Sequence, residues 1–475
     1  MKVARTLVAS TSMQLTAIFL VGWLFAAATP ATAQVAGNNA VYSGTTNSSI
    51  VGSSSFVDAS VLPNTSTTND ICARINAALT VLIASPYNGA GVIDARGINT
   101  SNSTKAGTSL VCANSPWSGL SSFPNAVILL PAGTIGLEST AMPWVLPDRT
   151  RIIGVGSGAN NTFVTTLQAG ASGVMIQMGG ASGTPVPCPA TNNVCNDVAV
   201  EDLRLDGGGN TVTGIQNQYS QELSYVNRVT FYRIKGTGLQ VGSTANPAGA
   251  QNSGPYTNIR FELPSSNYTG VSSTVCAQII GAPTRGIHGL TCSNLSSVVP
   301  SVAVNVDSAS NSIEDVSITG FADGIQVGAN GSAQSTTLLN ISGAFSSGNL
   351  IHVCAGTICN SSSTAGTVTD LSIIGATNSS TGGDTIRDEV TVTSVSDAHV
   401  GIYVLGELVS NAGYSRFTTS PNWPNWSVGA TSLTLGSLCT PGSLYSNTAG
   451  IGGSHDTLYV CLGGSGTNKG WEDIQ

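Results

Sequence analysis

The chain has 475 residues, only 8% of them charged, with 56 glycines and a net charge of −8. So little charge, combined with many Val, Ile and Thr and a mean hydropathy of +0.19, excludes a disordered chain, which would be highly charged and poor in β-branched residues. Only 16 Lys and Arg are present, in no basic run, which argues against nucleic acid as a partner.

Lys2 and Arg5 precede an apolar run of 12 residues, Ala17 to Ala28, and Ala31-Thr32-Ala33 offers small residues for cleavage before Gln34. That order predicts a secretory signal peptide over residues 1–33. The alternative is an uncleaved anchor, but the run falls short of the roughly 20 residues that cross a bilayer. No later run is long enough, so the expectation is an exported protein, secreted or at the cell surface, with no membrane span once the signal is removed. All ten cysteines follow the signal, and an even count in an exported chain suggests disulfides. Sequence neighbours suggest Cys188–Cys195, Cys354–Cys359 and Cys439–Cys461, while the connectivity stays open. No Cys-x-x-Cys and no His cluster accompany them, so no metal site is predicted.

One helix stands out at about 69–85. Asn69 or Asp70 caps it, Ile71, Ile75, Leu79 and Leu82 recur at helical spacing, and Pro86 stops it. Short strands follow, among them one at Val127 to Leu130 and one at Arg151 to Gly156. Then a repeat of the form apolar-x-x-apolar-x-apolar begins at Val200 and returns at Val226, Tyr256, Ile287 and Ile313, then as a degenerate copy at Thr336 and again at Val368. Successive starts are 26, 30, 31, 26, 23 and 32 residues apart. A shorter element follows several copies, as Gly214-Ile215-Gln216, Gly238-Leu239-Gln240 and Gly324-Ile325-Gln326, with Gly401-Ile402-Tyr403 as a further candidate. Strands at this period without helices predict an all-β solenoid in which each coil adds one strand to each of several parallel sheets. A β-propeller is the rival, but its blades repeat at about 40 residues or more through hairpins. The solenoid spans residues 34–420. Pro421, Trp423, Pro424 and Trp426 mark a boundary, and 427–475 reads as a small β module: a carbohydrate-binding or oligomerising element, or a cap on the solenoid.

The N-terminal order of Phe56-Val57-Asp58, the capped helix, Gly91-Val92-Ile93-Asp94, Leu129-Leu130-Pro131-Ala132-Gly133-Thr134, Val145-Leu146-Pro147 and Arg151-Ile152-Ile153-Gly154 resembles the pectate lyase superfamily over about residues 50–420. The resemblance implies a single-stranded right-handed parallel β-helix, with the helix capping the open end and Pro-Ala-Gly-Thr beginning the first full turn. It implies polysaccharide as partner and calcium as a possible cofactor, although no calcium cage is visible among the sparse carboxylates. Such folds carry lyases, glycoside hydrolases, epimerases, tailspikes and non-catalytic adhesins, and the fold does not choose among them.

The repeat register places outward residues in columns. The first holds Glu201, Asn227, Thr257, His288 and Glu314. The second holds Asp202, Arg228, Asn258, Gly289, Asp315 and Asp370. The third holds Arg204, Thr230, Arg260, Thr291, Ser317 and Ser372. His288, Glu314 and Asp315 are the candidate catalytic groups, a carboxylate beside an imidazole suiting acid–base work. Arg228, Arg260 and Arg204, with Asp202, are the candidate substrate-binding groups, an Arg suiting a substrate carboxylate. The alternative is a solvated ladder of pairing strand residues. Asp202 and Asp315 lie four coils apart, roughly 19 Å, too far for the ~5–10 Å of a glycosidase pair. Arg233-Ile234-Lys235 matches a tripeptide of polygalacturonase-like hydrolases without its companion motifs, and is read as two surface cations around an inward Ile234. His352 and His455 are read as surface residues, and Gln216, Gln240 and Gln326 as a hydrogen-bonding ladder rather than a sugar site. Two functions follow. One is a lyase or glycoside hydrolase acting on acidic polysaccharide, in a groove bounded by loops after 241 and near 262–275. The other is a non-catalytic surface or adhesive protein.

Overall fold

The computed structural model describes residues 56–388, except 63–68, 85–89, 99–109, 159–163, 182–183, 190–193, 243–252, 266–270, 282–284, 346–347, 355–367 and 380–385, together with strands Tyr403–Leu405, Trp426–Gly429, Leu444–Asn447, Thr457–Cys461 and Trp471–Ile474. The expected signal peptide and His455 lie outside these residues.

Short strands separated by turns stack coil on coil into two long sheets. The first has 15 strands running from Phe56–Asp58 to Tyr403–Leu405, and the second has nine running from Trp144–Leu146 to Ile386–Asp388. The chain alternates between them: Ala199–Asp206 in the first, Val212–Asn217 in the second, Tyr225–Tyr232 in the first, Thr237–Val241 in the second. Each strand pairs in parallel with its counterpart one coil on, as Val200 with Val226 and Ile215 with Leu239. This is the solenoid that the repeat predicts, as the right-handed parallel β-helix that the resemblance implied, the hand that right-twisted strands impose on parallel crossovers.

The apolar positions of the repeat are the core. Val200, Leu203 and Leu205 stack on Val226, Val229 and Phe231, then on Tyr256, Ile259 and Phe261, and on to Ile313, Val316 and Ile318, all buried. Each such side chain contributes about 1.5–3 kcal/mol on leaving water. The two sheets fit by trading volume within each coil. A Cβ on Gly214 would lie 2.5 Å from the Phe231 ring, and one on Gly238 would lie 2.7 Å from the Phe261 ring. In the next coil the same two places are Cys276 and Cys292, joined as a disulfide, and in the following one they are Ala303 and Ile318.

The long first-sheet strands turn in their middle. Asp202, Arg228, Asn258, Gly289, Asp315, Asn340 and Gly375 all hold φ between 53° and 71°, the left-handed region that Gly, Asn and Asp enter most cheaply. This bend column corrects the register expected beyond Thr319. Ile313 pairs with Leu338, and Leu338 with Ile373. The copies expected at Thr336 and Val368 are therefore two and five residues out, Gly375 rather than Asp370 continues the bend column, and Ser342 rather than Ser372 follows Ser317.

At the N-terminal end the helix Ile71–Ile83 buries Ile71, Ile75, Leu79 and Leu82. Asp70 is its cap, its Oδ1 accepting from the amides of Cys72 (2.9 Å) and Ala73 (3.1 Å) and its Oδ2 from Ala113 (3.3 Å). A Cys72–Cys112 disulfide ties the helix to strand Leu110–Cys112. Cys188–Cys195 forms as expected, whereas Cys72–Cys112 and Cys276–Cys292 were not foreseen. The other two expected pairings involve side chains outside the described residues. The C-terminal module is a separate four-stranded sheet in which Trp426–Gly429 pairs parallel to Leu444–Asn447 and the remaining pairs are antiparallel.

Candidate functional site

The outward face of the first sheet holds the residues singled out by sequence, and the columns fall where the repeat put them: Glu201, Asn227, Thr257, His288 and Glu314 are successive partners, as are Arg204, Thr230, Arg260, Thr291 and Ser317. Their charges are committed to one another. Arg228 grips Asp202 with two 2.7 Å hydrogen bonds and lies 3.6 Å from Glu201. Glu201 also accepts from the Tyr225 hydroxyl, whose pKa burial and this bond push up to about 12. Arg260 pairs with Glu262 on its own strand. Arg233 clasps Asp206, and Ile234 between Arg233 and Lys235 is buried, as expected. Arg204 departs from its expected place on the solvent face: it is 4% exposed, with its guanidinium 3.8 Å from the centre of the Tyr232 ring.

His288 and Glu314 do meet, Nδ1 to Oε2 at 3.1 Å. The other ring nitrogen faces the Arg285 carbonyl at 2.9 Å, and the other carboxylate oxygen accepts from Ser312 at 2.7 Å. Each ring nitrogen thus faces an oxygen, and which of the two donates depends on the tautomer. Asp315 accepts from Asn340 at 2.6 Å and sits at the bend, one position past Glu314. These contacts give the first-sheet face the character of a ladder of paired strand residues. They also leave the carboxylates of this face spread among guanidinium, hydroxyl, imidazole and amide donors, not gathered into the multi-oxygen cage that calcium takes. Among the described residues, no three His, Cys, Asp or Glu side chains cluster as a metal site.

The second sheet carries a different face. Its outward column runs Gln177, Gln216, Gln240, Gln278, Asn305, Gln326 and His352, rung by rung in register. Three of these amides were visible in the sequence. Gln278 and Asn305 escaped because Cys276 and Ala303 replace the glycine that marked the others. The first four rungs are half-buried and the last three buried. Gln216 donates to Gln240 at 3.1 Å, one rung of the expected ladder, whereas Gln240 donates to the Gly242 carbonyl and Gln326 to Asp323. His352 is 7% exposed, not a surface residue, and its Nδ1 lies 2.8 Å from Asp323.

Where the column sinks, the turns rise around it. Ser272, Ser301 and Asp323 stack into one wall through Ser301 N–H to Ser272 O and Asp323 N–H to Ser301 O, both 2.9 Å. The opposite wall is the turn at Ala329 and Asn330, pinned by buried Asp307, which accepts from the Asn330 amide at 2.8 Å and its side chain at 3.2 Å. Burial raises the pKa of Asp307, against the pull of those donors. Between the walls lies a cavity of about 330 Å³ floored by Asn305 and Gln326. Asn305 is 93% buried, and its Oδ1 has no hydrogen-bond partner. Ser272, Ser273 and Val275, from the stretch expected to bound a groove for the His288–Glu314 face, line this cavity on the second sheet instead. The stretch 243–252 lies outside the described residues.

No protein-family model matches the chain, and neither does any curated protein. Two solved structures are similar to it. The A-module of mannuronan C-5 epimerase AlgE4 from Azotobacter vinelandii aligns over 59% of this chain and 85% of its own length, at 13% identity and a TM-score of 0.29. ORF18 of Geobacillus virus E2 aligns over 88% of this chain and 76% of its own, at 11% identity and a TM-score of 0.41. The fold assignment rests on the parallel ladders of the chain itself.

Proposed function

We propose that the protein is an exported β-helix that binds polysaccharide along the outward face of its second sheet. The observation that carries this is the in-register column of amide side chains that leads into a cavity lined by Ser272, Ser301, Asn305 and Gln326. Amides and hydroxyls offer both donors and acceptors to the hydroxyls of a bound chain. The amide column leads to this cavity in steps of about 4.8 Å, close to the length of a sugar unit in a chain. The compartment agrees: among the described residues, the disulfides Cys72–Cys112, Cys188–Cys195 and Cys276–Cys292 fit an oxidising environment, and no helix is long and apolar enough to cross a membrane.

A second reading, cleavage of the polysaccharide by a lyase or hydrolase mechanism, is favoured by the His288–Glu314 contact, with Asp315, Arg228 and Arg260 on the same face. One experiment separates the two. The exported chain is incubated with a polysaccharide panel, with and without calcium, and retention on each polymer, new reducing ends and the ultraviolet absorbance of unsaturated ends are read together. The binding reading expects retention without new ends, weakened by Ser273→Trp at the cavity wall and unchanged by Glu314→Gln. New ends that vanish in Glu314→Gln would replace it with the cleavage reading.

A further inference from the structure

We infer that the polysaccharide taken by this groove is neutral, with units that present hydroxyls and no carboxylate. The inference rests on the second-sheet face being the binding surface, and it reverses the acidic substrate that the arginine columns of the first sheet suggested.

The polar part of the cavity lining is hydroxyls and carboxamides, Ser272, Ser273 and Ser301 on one side with Asn305, Gln326 and Asn330 below and opposite, and the rest is Val275, Val302 and Ala329. Among the described residues, no Lys or Arg lines it. A uronate carboxylate brought into such a space would lose water and find no cation, whereas carboxylate recognition ordinarily uses a guanidinium fork or a similar charge-assisted donor. The described arginines on or beside the first sheet lie elsewhere: Arg151, Arg228, Arg233 and Arg260 pair with Asp197, Asp202, Asp206 and Glu262, and Arg204 stacks on Tyr232. Lys235 lies one coil before the wall, its carbonyl accepting from Thr274, and is not part of the lining. Along the column an Arg enters the register only beyond His352, at position 387.

The charges that do flank the cavity are negative. Asp323 holds the Gln326 side chain at 2.8 Å, and Asp307 holds Asn330. Hydrogen bonds from His352, Asn349 and Gln326 outweigh the burial of Asp323 and hold it below the ordinary carboxylate range, so it is ionised at neutral pH. Asp323 would repel a uronate, and Asp307 is the second carboxylate beside the cavity. They also fix two of the polar groups that a neutral sugar would meet: Gln326 is tethered by its Nε2, and Asn330 by its backbone and side-chain nitrogens, orienting them before any ligand arrives. Sugar hydroxyls, which both donate and accept, match a mixed lining of amides and serines. At about 330 Å³ the space lies at the small end of ligand cavities, fitting a sugar unit of a chain that continues along the amide column.

The test is calorimetric titration of the full exported chain with cellohexaose, mannohexaose and maltohexaose, and with hexamers of galacturonate and mannuronate. The wild type is compared with Asn305→Ala, which removes the buried acceptor, and with Ser273→Trp, which places a large ring on an exposed turn at the rim without touching the core. At least one neutral hexamer is expected to bind, weakened about tenfold or more in both variants, and the uronates are expected neither to bind nor to compete. Uronate binding that Ser273→Trp abolishes would overturn the neutral class while keeping the groove. Neutral binding indifferent to both variants would overturn the groove, and no binding to any polymer would overturn both.

Discussion

The disulfide between Cys276 and Cys292 occupies the two places that Gly and Phe hold in the preceding coils, and this equivalence makes a prediction with a magnitude. Replacing both cysteines by Ala removes a crosslink spanning 16 residues. Loop closure of that length is worth about 3 kcal/mol, and the Ala pair restores little of the lost packing. Cys276→Gly with Cys292→Phe should instead recreate the Gly238–Phe261 contact one coil on, between the rings of Phe261 below and the Ile318 layer above. Burying a Phe at a site as closed as that of Phe261 is worth about 3 kcal/mol relative to Ala, so the Gly/Phe chain should come within about 1–2 kcal/mol of the wild type. Guanidinium unfolding of the three chains, followed by circular dichroism, measures this, and a reductant should lower the wild type while leaving both variants unmoved at this crosslink. A Gly/Phe chain no more stable than the Ala/Ala chain would refute the volume-trading account of how the two sheets meet.

Three further outcomes follow from local geometry. Asp70→Ala removes the acceptor for the first amides of the capping helix and for Ala113, and should lower stability by about 1–2 kcal/mol, with Asp70→Asn losing less because one acceptor oxygen remains; thermal unfolding checks the order. Arg228 holds a left-handed φ of 53° for the sake of a half-exposed ion pair worth about 0–1 kcal/mol, while Asn at that bend relieves strain of about 1 kcal/mol. Arg228→Asn should therefore leave stability within about 1 kcal/mol of the wild type, and a loss above about 2 kcal/mol would show the pair to matter more than the bend. Asp323 has a folded pKa below its ordinary value of 3.8. Its contribution is present above 3.8 and lost as pH falls through the lower folded value, where the native state must take up a proton. Unfolding free energy followed from pH 5 down to 2 should fall less steeply in Asp323→Asn than in the wild type, and identical slopes would contradict the assignment.

The architecture was legible because inward residues of a β-helix repeat at the period of the coil, and from Val200 to Ile318 the apolar triplets mark that period without ambiguity. The register slipped beyond Thr319 for a physical reason. Thr336, Leu338, Leu339 and Ile341 satisfy the apolar pattern in two frames, and only the left-handed Asn340, matched to Asp315 and Gly375, fixes which frame packs. The helix cap was visible in Asp70 and its apolar spacing. Charge drew the reading to the first sheet. Arginines and carboxylates stand out in a chain this poor in them, yet Arg228, Arg233 and Arg260 neutralise acids on their own or neighbouring strands, and Arg204 is hidden beneath a Tyr from the next coil. The amide column carries no such flag. Gln278 and Asn305 follow Ala277 and Val304 rather than Gly-Ile or Gly-Leu, and the cavity that Asn305 helps to form is built by turns whose convergence depends on coil geometry rather than on any local motif.

A ligand on the second sheet, and not on the arginine-bearing first, would leave its mark on the backbone amides beneath it. Hydrogen exchange of the backbone amides, with and without a saturating polysaccharide from the panel, tests this directly. The account predicts slowed exchange at Val271–Val275, Ser301–Asn305 and Gln326–Gly331, with the strands Tyr225–Tyr232, Tyr256–Leu263 and Ile287–Asn294 unchanged. Protection on those three strands with none around Asn305 would contradict it and move the binding face to His288 and its neighbours.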